Sequence, residues 1–128
     1  SENYKKEIAQ RIIKYLLDIQ LLRMVNTQPL WGYKIKKQVE KDFKRKLRHG
    51  ALYPALNALE RKGFLASQKQ QKDGRARKVY TITSSGKAYL ESYFSVIREQ
   101  LEAEETASSK PACVKEGLTT NFQVINPY

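Results

Sequence analysis

Apolar side chains recur at three- and four-residue spacings through Ile8, Ile12, Ile13, Leu16, Leu17, Ile19 and Leu22, which predicts one amphipathic helix over residues 3–25. Asn26, Thr27, Gln28 and Pro29 then close it. Ile35, Val39 and Phe43, each four apart, predict a second, short helix over residues 32–43, with Trp31 at its start. In HGALYPALNALERKGF, Pro54 is tolerated only in a first turn, so a third helix begins near Ala51. Gly63 suits its left-handed end, and Arg61 and Lys62 complement the negative end of its dipole. On the helical wheel Leu52, Leu56 and Leu59 form a stripe for burial, while Tyr53, Asn57 and Arg61 point elsewhere.

Beyond Gly63 the period changes. Residues 65–70 and 78–83 read as strands, with Tyr80 and Ile82 on one face of the second, and Asp73-Gly74 between them is a two-residue hairpin signal. Lys69, Lys72, Arg75, Arg77 and Lys78 decorate this hairpin, and no core would take them. Thr83 or Ser84 caps a fourth helix over residues 85–105, whose Leu90, Phe94, Ile97 and Leu101 follow the spacing of a helix-packing seam. Residues 106–128 show no sustained period and read as a tail.

This layout predicts a mainly α fold with a small β-hairpin wing: a winged helix-turn-helix over residues 1–84 (recognition helix 51–62, wing 65–83), a helix over 85–105 and the tail. The 128 residues carry 24 Lys and Arg against 13 Asp and Glu, a formal net charge of +11. Residues 1–90 hold 21 basic and 7 acidic side chains, and the remainder holds 3 and 6. The positive field therefore belongs to the front of the chain, and such a density faces a polyanion, most commonly nucleic acid, or else is a solvated surface.

Other chemistry is poorly supplied. One His49 in KLRHG lacks an acidic orienter, so the chain is not expected to be an enzyme. One Cys113 and one His49 cannot build a Cys/His metal site, and no cofactor is expected. Cys113, a lone tail thiol, is read as inert. No apolar run is long enough to span a membrane and the polar start, residues 1–6, is no signal peptide, so a cytoplasmic, nucleoid-associated protein is expected.

The stretches PLWGYKIKKQVE (29–40), GALYPALNALERKGFL (50–65), DGRARKVYTIT (73–83) and SGKAYL (85–90) resemble the PadR family of transcriptional regulators, in the family's order and spacing. The most specific part is LYPAL with its following LERKGF. The resemblance is to the short form, with a single C-terminal dimerisation helix. It implies a winged-helix homodimer, usually a repressor on an inverted-repeat operator and often released by a small aromatic or cationic ligand. Where the family commonly has a hydroxyl residue, this chain has Ala51, which removes a helix cap.

On this reading Tyr53 and Asn57 are groove contacts, since Asn pairs bidentately with adenine and Tyr reaches a phosphate or a thymine methyl; Tyr53 could instead pack on the hairpin. Arg61, Lys62, Arg75, Arg77 and Lys78 hold phosphates or are simply solvated. Tyr33, Lys34, Lys36 and Lys37 anchor the second helix to the backbone, with Tyr33 equally a core candidate. Leu90, Phe94, Ile97 and Leu101 are the expected dimer seam. Tyr89, Tyr93 and Trp31 are either plain core or stacking partners for a flat effector. The alternative class is a non-specific nucleoid-associated protein with the same charge; RNA binding is disfavoured because no aromatic cluster lies on a basic sheet face.

Overall fold

A computed structural model describes residues 1–109 of the chain. The elements run α1 (Glu2–Tyr15), α2 (Leu17–Thr27), β1 (Leu30–Trp31), α3 (Gly32–Phe43), α4 (Leu52–Arg61), β2 (Leu65–Lys72), β3 (Arg75–Ile82) and α5 (Ser84–Ser109). This is the winged helix-turn-helix followed by a long helix that the patterning predicts.

The single helix expected over 3–25 is instead two. Leu16, at φ −126° and ψ 30°, breaks it, although its N–H still donates to the Ile12 carbonyl at 2.8 Å. The apolar period survives a one-residue break because both halves turn apolar residues inward. They differ in depth: α2 buries Ile19, Leu21, Leu22, Met24 and Val25, whereas α1 buries none of its residues fully.

The core closes around α2, α3, α4 and the sheet, with Ile35, Val39, Leu52, Leu56, Leu59, Leu65 and Tyr80 buried. In α4 the stripe Leu52, Leu56 and Leu59 is inside, as its spacing requires, and Ala51 provides no side-chain cap. Gly63, at φ +79°, ends α4 in the left-handed region that costs glycine little.

The hairpin is longer than predicted. Its strands run to the turn itself, pairing Lys72 with Arg75, and Asp73 and Gly74 both have positive φ, 53° and 75°, as a type I′ turn requires. A third strand was not legible, because two residues carry no period. β1 joins the edge of β3 in the order β1-β3-β2, with Leu30 opposite Tyr80 and Trp31 opposite Val79. Trp31 thus belongs to the sheet and precedes α3 rather than opening it.

Thr83 joins the wing to α5. Its hydroxyl donates to the Gly63 carbonyl at 2.6 Å and accepts from the Gly86 N–H at 3.0 Å, while its own N–H donates to the Phe64 carbonyl at 3.1 Å. Gly86 is required there: a Cβ would stand 2.2 Å from the Phe64 carbonyl oxygen. The helix then continues to Ser109, so residues 106–109, expected in the tail, are helical. Cys113 and the rest of the predicted tail lie outside the described residues.

Backbone packing defines one compact unit over Ser1–Glu91, which includes the first turns of α5, and a second that begins at Ser92. Among the described residues no helix is long and apolar enough to cross a membrane, and no cluster of His, Cys, Asp or Glu could hold a metal ion.

Candidate nucleic-acid interface

Between the start of α3, the outer side of α4 and β3 lies an open groove of about 400 Å³ lined by Gly32, Tyr33, Tyr53, Asn57, Ala76, Arg77, Lys78 and Tyr80. Five of the predicted contact residues therefore share one concavity. Tyr53 is 54% exposed and Asn57 is exposed, because both fall opposite the leucine stripe. Gly32 leaves room for Tyr53: a Cβ there would come within 3.3 Å of Tyr53 Cε1 and 3.4 Å of its hydroxyl. Tyr53 leans on the start of α3 while its ring remains open to solvent.

The wing cations are not simply displayed. The Arg77 guanidinium lies 4.5 Å from the Tyr33 ring centroid, with Lys37 Nζ at 5.6 Å and Lys72 Nζ at 5.9 Å from the same ring. Lys72 Nζ also stands 5.0 Å from the Trp31 ring. Sheet register explains the grouping: Lys72 and Arg75 are opposite one another, Gln70 is opposite Arg77, and Trp31 is opposite Val79, all on one face. Tyr33 is therefore half-buried under cations rather than in the core, and each cation is attracted to the ring quadrupole. The Arg77 Nε is buried and has no hydrogen-bond partner.

Lys78 faces the other way. Its Nζ is 3.8 Å from Glu60 Oε1, and Ser67 Oγ donates to Glu60 Oε2 at 2.8 Å, so one carboxylate ties both wing strands to α4. Beneath it, burial raises the pKa of the Tyr80 phenol, with the Glu60 charge and Tyr53 adding to the shift. Glu60, Lys72 and Tyr80 were not among the predicted site residues. The hairpin register, extended to the turn, is the signal that would have placed Lys72 beside Arg77.

Arg61, Lys62, Arg75, Lys34, Lys36 and Lys37 are exposed. The expected dimer seam divides. Leu90 is 2% exposed in the single chain and so belongs to the core, because the compact unit extends past the wing into α5. Ile97 and Leu101 are 37% and 59% exposed, and Phe94 is half-buried against Tyr93, ring centroids 5.6 Å apart. The three candidate effector aromatics have separate ring partners: Tyr89 stacks on Phe64 at 4.6 Å and 21°, Tyr93 meets Phe94, and Trp31 carries Lys72.

A helix-turn-helix with a cationic wing and an open groove between the wing and α4 defines the winged-helix class of nucleic-acid-binding modules. Residues 21–92 match the transcriptional regulator PadR-like family, and the chain belongs to that family. It is similar to a transcriptional regulator of Mycobacterium tuberculosis, 51% identical over 41 residues, which are 32% of this chain and 38% of that protein. A PadR family transcription regulator from Clostridium difficile is 30% identical, with a TM-score of 0.59, over 70% of this chain and 94% of that one. A PadR-like transcription factor from Bacteroides fragilis shares the fold at 21% identity, with a TM-score of 0.65, over 78% of this chain and 97% of that one.

Proposed function

We propose that this regulator binds duplex DNA sequence-specifically as a homodimer, acting as a repressor on an inverted-repeat operator. The observation that carries this reading is the groove. It brings the exposed Tyr53 and Asn57 of α4 beside Arg77 of the wing, so that side chains able to read base edges and a phosphate-binding cation open on one surface.

Roles follow from position. Asn57 and Tyr53 read base edges from the major groove; Arg61 and Lys62 hold phosphates at the end of α4, and Lys36 and Lys37 do so from the exposed side of α3; Arg75 and Arg77 extend the grip through the wing. Lys78 acts through Glu60 and Ser67, holding the wing at a fixed distance from α4. Ile97 and Leu101 pair protomers, which sets two recognition helices about one DNA turn, roughly 34 Å, apart. A flat aromatic effector, sandwiched at the dimer centre by stacking on Tyr89 and Tyr93, releases the operator.

The test is selection of bound fragments from a random duplex pool, followed by a salt titration on the selected sequence. A pseudo-palindromic site, bound about 10³-fold or more tighter than random duplex, is expected. With about four phosphates neutralised per protomer, log K should fall against log salt with a slope near −7. A slope shallower than about −3 with no preferred sequence would refute the reading, and binding without preference at the steeper slope would indicate a nucleoid-coating protein.

A further inference from the structure

The connection between α3 and α4 runs from Lys44 to Ala51, eight residues, where a compact helix-turn-helix needs about three or four. Residues 41–48 carry Lys41, Lys44, Arg45, Lys46 and Arg48 against one acid, Asp42, which already accepts a hydrogen bond from Gln38 at 2.8 Å. None of these five cations lies in the groove described above.

The loop has a defined shape. Lys44 takes a left-handed conformation, φ 53°, and its N–H points to the Glu40 and Lys41 carbonyls. The Arg45 N–H donates to the Glu40 carbonyl at 3.1 Å, and the Leu47 N–H donates to the Glu40 carboxylate at 2.7 Å. The Leu47 side chain is buried as an anchor, while Lys44, Arg45, Lys46, Arg48 and His49 around it are all exposed. Arg45 lies against the Gln10 amide of α1, and a shallow depression there of about 410 Å³ brings Lys5 and Lys6, together with Glu2 and Asp42, beside Lys44 and Arg45. Among the described residues, Lys44, Arg45, Lys46 and Arg48 form no ion pair.

Exposed like charges on one short anchored loop repel one another; the Glu40 carboxylate is taken up by the Leu47 N–H and Asp42 by Gln38, and neither pairs with these cations, so an excess of positive charge is left for an external anion. Gly50 and Ala51 lead from this cluster directly into α4, so the cations stand at the N-terminal end of the recognition helix, whereas Arg75 and Arg77 stand on the wing. We infer that residues 44–48 are a second phosphate-binding surface, which grips the DNA backbone flanking the bases that α4 faces. It contributes affinity without sequence preference. The inference rests on the DNA-binding reading above and extends the contacted backbone beyond the groove.

The experiment measures binding of the full chain to its selected duplex and to random duplex across a series of salt concentrations by fluorescence anisotropy. Variants are Lys44→Asn/Arg45→Ala/Lys46→Ala/Arg48→Ala and the milder Lys46→Ala/Arg48→Ala, against the control Arg11→Ala/Lys14→Ala, which removes two cations from α1. Thermal melting establishes that each is folded, and the double variant carries the test if the quadruple one is not. Because each dimer loses the cations of two protomers, the salt slope should become shallower by about 3 to 4 for the double variant and by about twice that for the quadruple one, with equal fold losses on both duplexes, while the control leaves the slope unchanged. A wild-type slope in the loop variants, or an equal loss in the control, overturns the inference and leaves the groove reading standing. Failure of the parent protein to bind any duplex overturns both.

Discussion

The Arg77 guanidinium sits 4.5 Å from the centre of the Tyr33 ring, joining a wing strand to the first turn of α3. Lys72 and Lys37 approach the same ring, so Tyr33 sets where three cations stand before any ligand arrives. Cation–π attraction of about 0.5 to 2 kcal/mol per pair is enough to bias wing position without dominating stability.

Replacing Tyr33 with Ala should therefore weaken operator binding by about tenfold while shifting Tm little, and Tyr33→Phe, which keeps the ring, should restore most of the affinity. Anisotropy titrations of the two variants separate positioning from direct contact: if Phe is as poor as Ala, the hydroxyl itself meets DNA.

Asn57→Ala and Arg61→Ala should fail differently. Loss of an exposed amide that reads a base should cost about 1–3 kcal/mol on the selected sequence alone. Loss of a phosphate-holding cation, one from each protomer of the dimer, should weaken all duplexes alike and reduce the salt slope by about 2. Side-by-side titration on selected and random duplex distinguishes the two, and a uniform loss for Asn57→Ala would remove it from base reading.

Thr83 bridges the end of α4 and the start of α5 through a 2.6 Å bond to the Gly63 carbonyl and a 3.0 Å bond from the Gly86 N–H. Thr83→Val keeps the shape but deletes both, and should destabilise the protein by about 1–2 kcal/mol; Thr83→Ser should recover it. Chemical denaturation gives the comparison.

The Tyr80 phenol titrates above its ordinary value of 10.0, chiefly through burial, with Glu60 and Tyr53 contributing. Above the ordinary value the unfolded chain gives up this proton before the folded one does. Stability associated with Tyr80 is thus fully present below about pH 10 and declines as pH rises through the folded pKa. Tyr80→Phe should flatten this alkaline decline. In Glu60→Gln the decline should begin at the same pH but end earlier, because the folded pKa drops. Thermal melts across pH 9 to 11 provide the readout.

Leu101→Glu, or Ile97→Glu, places a charge on the exposed part of the α5 seam without touching the core residue Leu90. The expected result is a folded monomer by light scattering that has lost its preference for two-half-site DNA. A dimer that survives both substitutions would place the protomer interface elsewhere.

Much of this architecture was legible from periodicity alone. Leu52, Leu56 and Leu59 announced the buried face of α4, and by exclusion the open face with Tyr53 and Asn57, because a helix turns 100° per residue whatever surrounds it. Asp73-Gly74 announced the turn for an equally local reason: few residue pairs accept two positive φ angles. Gly63 and Pro54 bounded α4 in the same way. The break at Leu16 was hidden, since one residue interrupts the backbone without interrupting the apolar period.

Tertiary structure decided what local rules cannot reach. The two-residue strand β1 exists only because β3 offers it an edge, and Leu90 is core rather than seam only because the compact unit runs into α5. By charge and position Arg77 reads as a phosphate holder or a solvated cation and Lys72 only as a decoration of the hairpin; that they lie on Tyr33 and Trp31 follows from sheet register and the α3 start, which place those rings beneath them. Sequence determined the elements, their faces and the overall charge, all properties of neighbours along the chain. Which cations face the groove, which are tied to Glu60 and which crowd the anchored loop before α4 depends on residues brought together across the fold, and only packing specifies those distances.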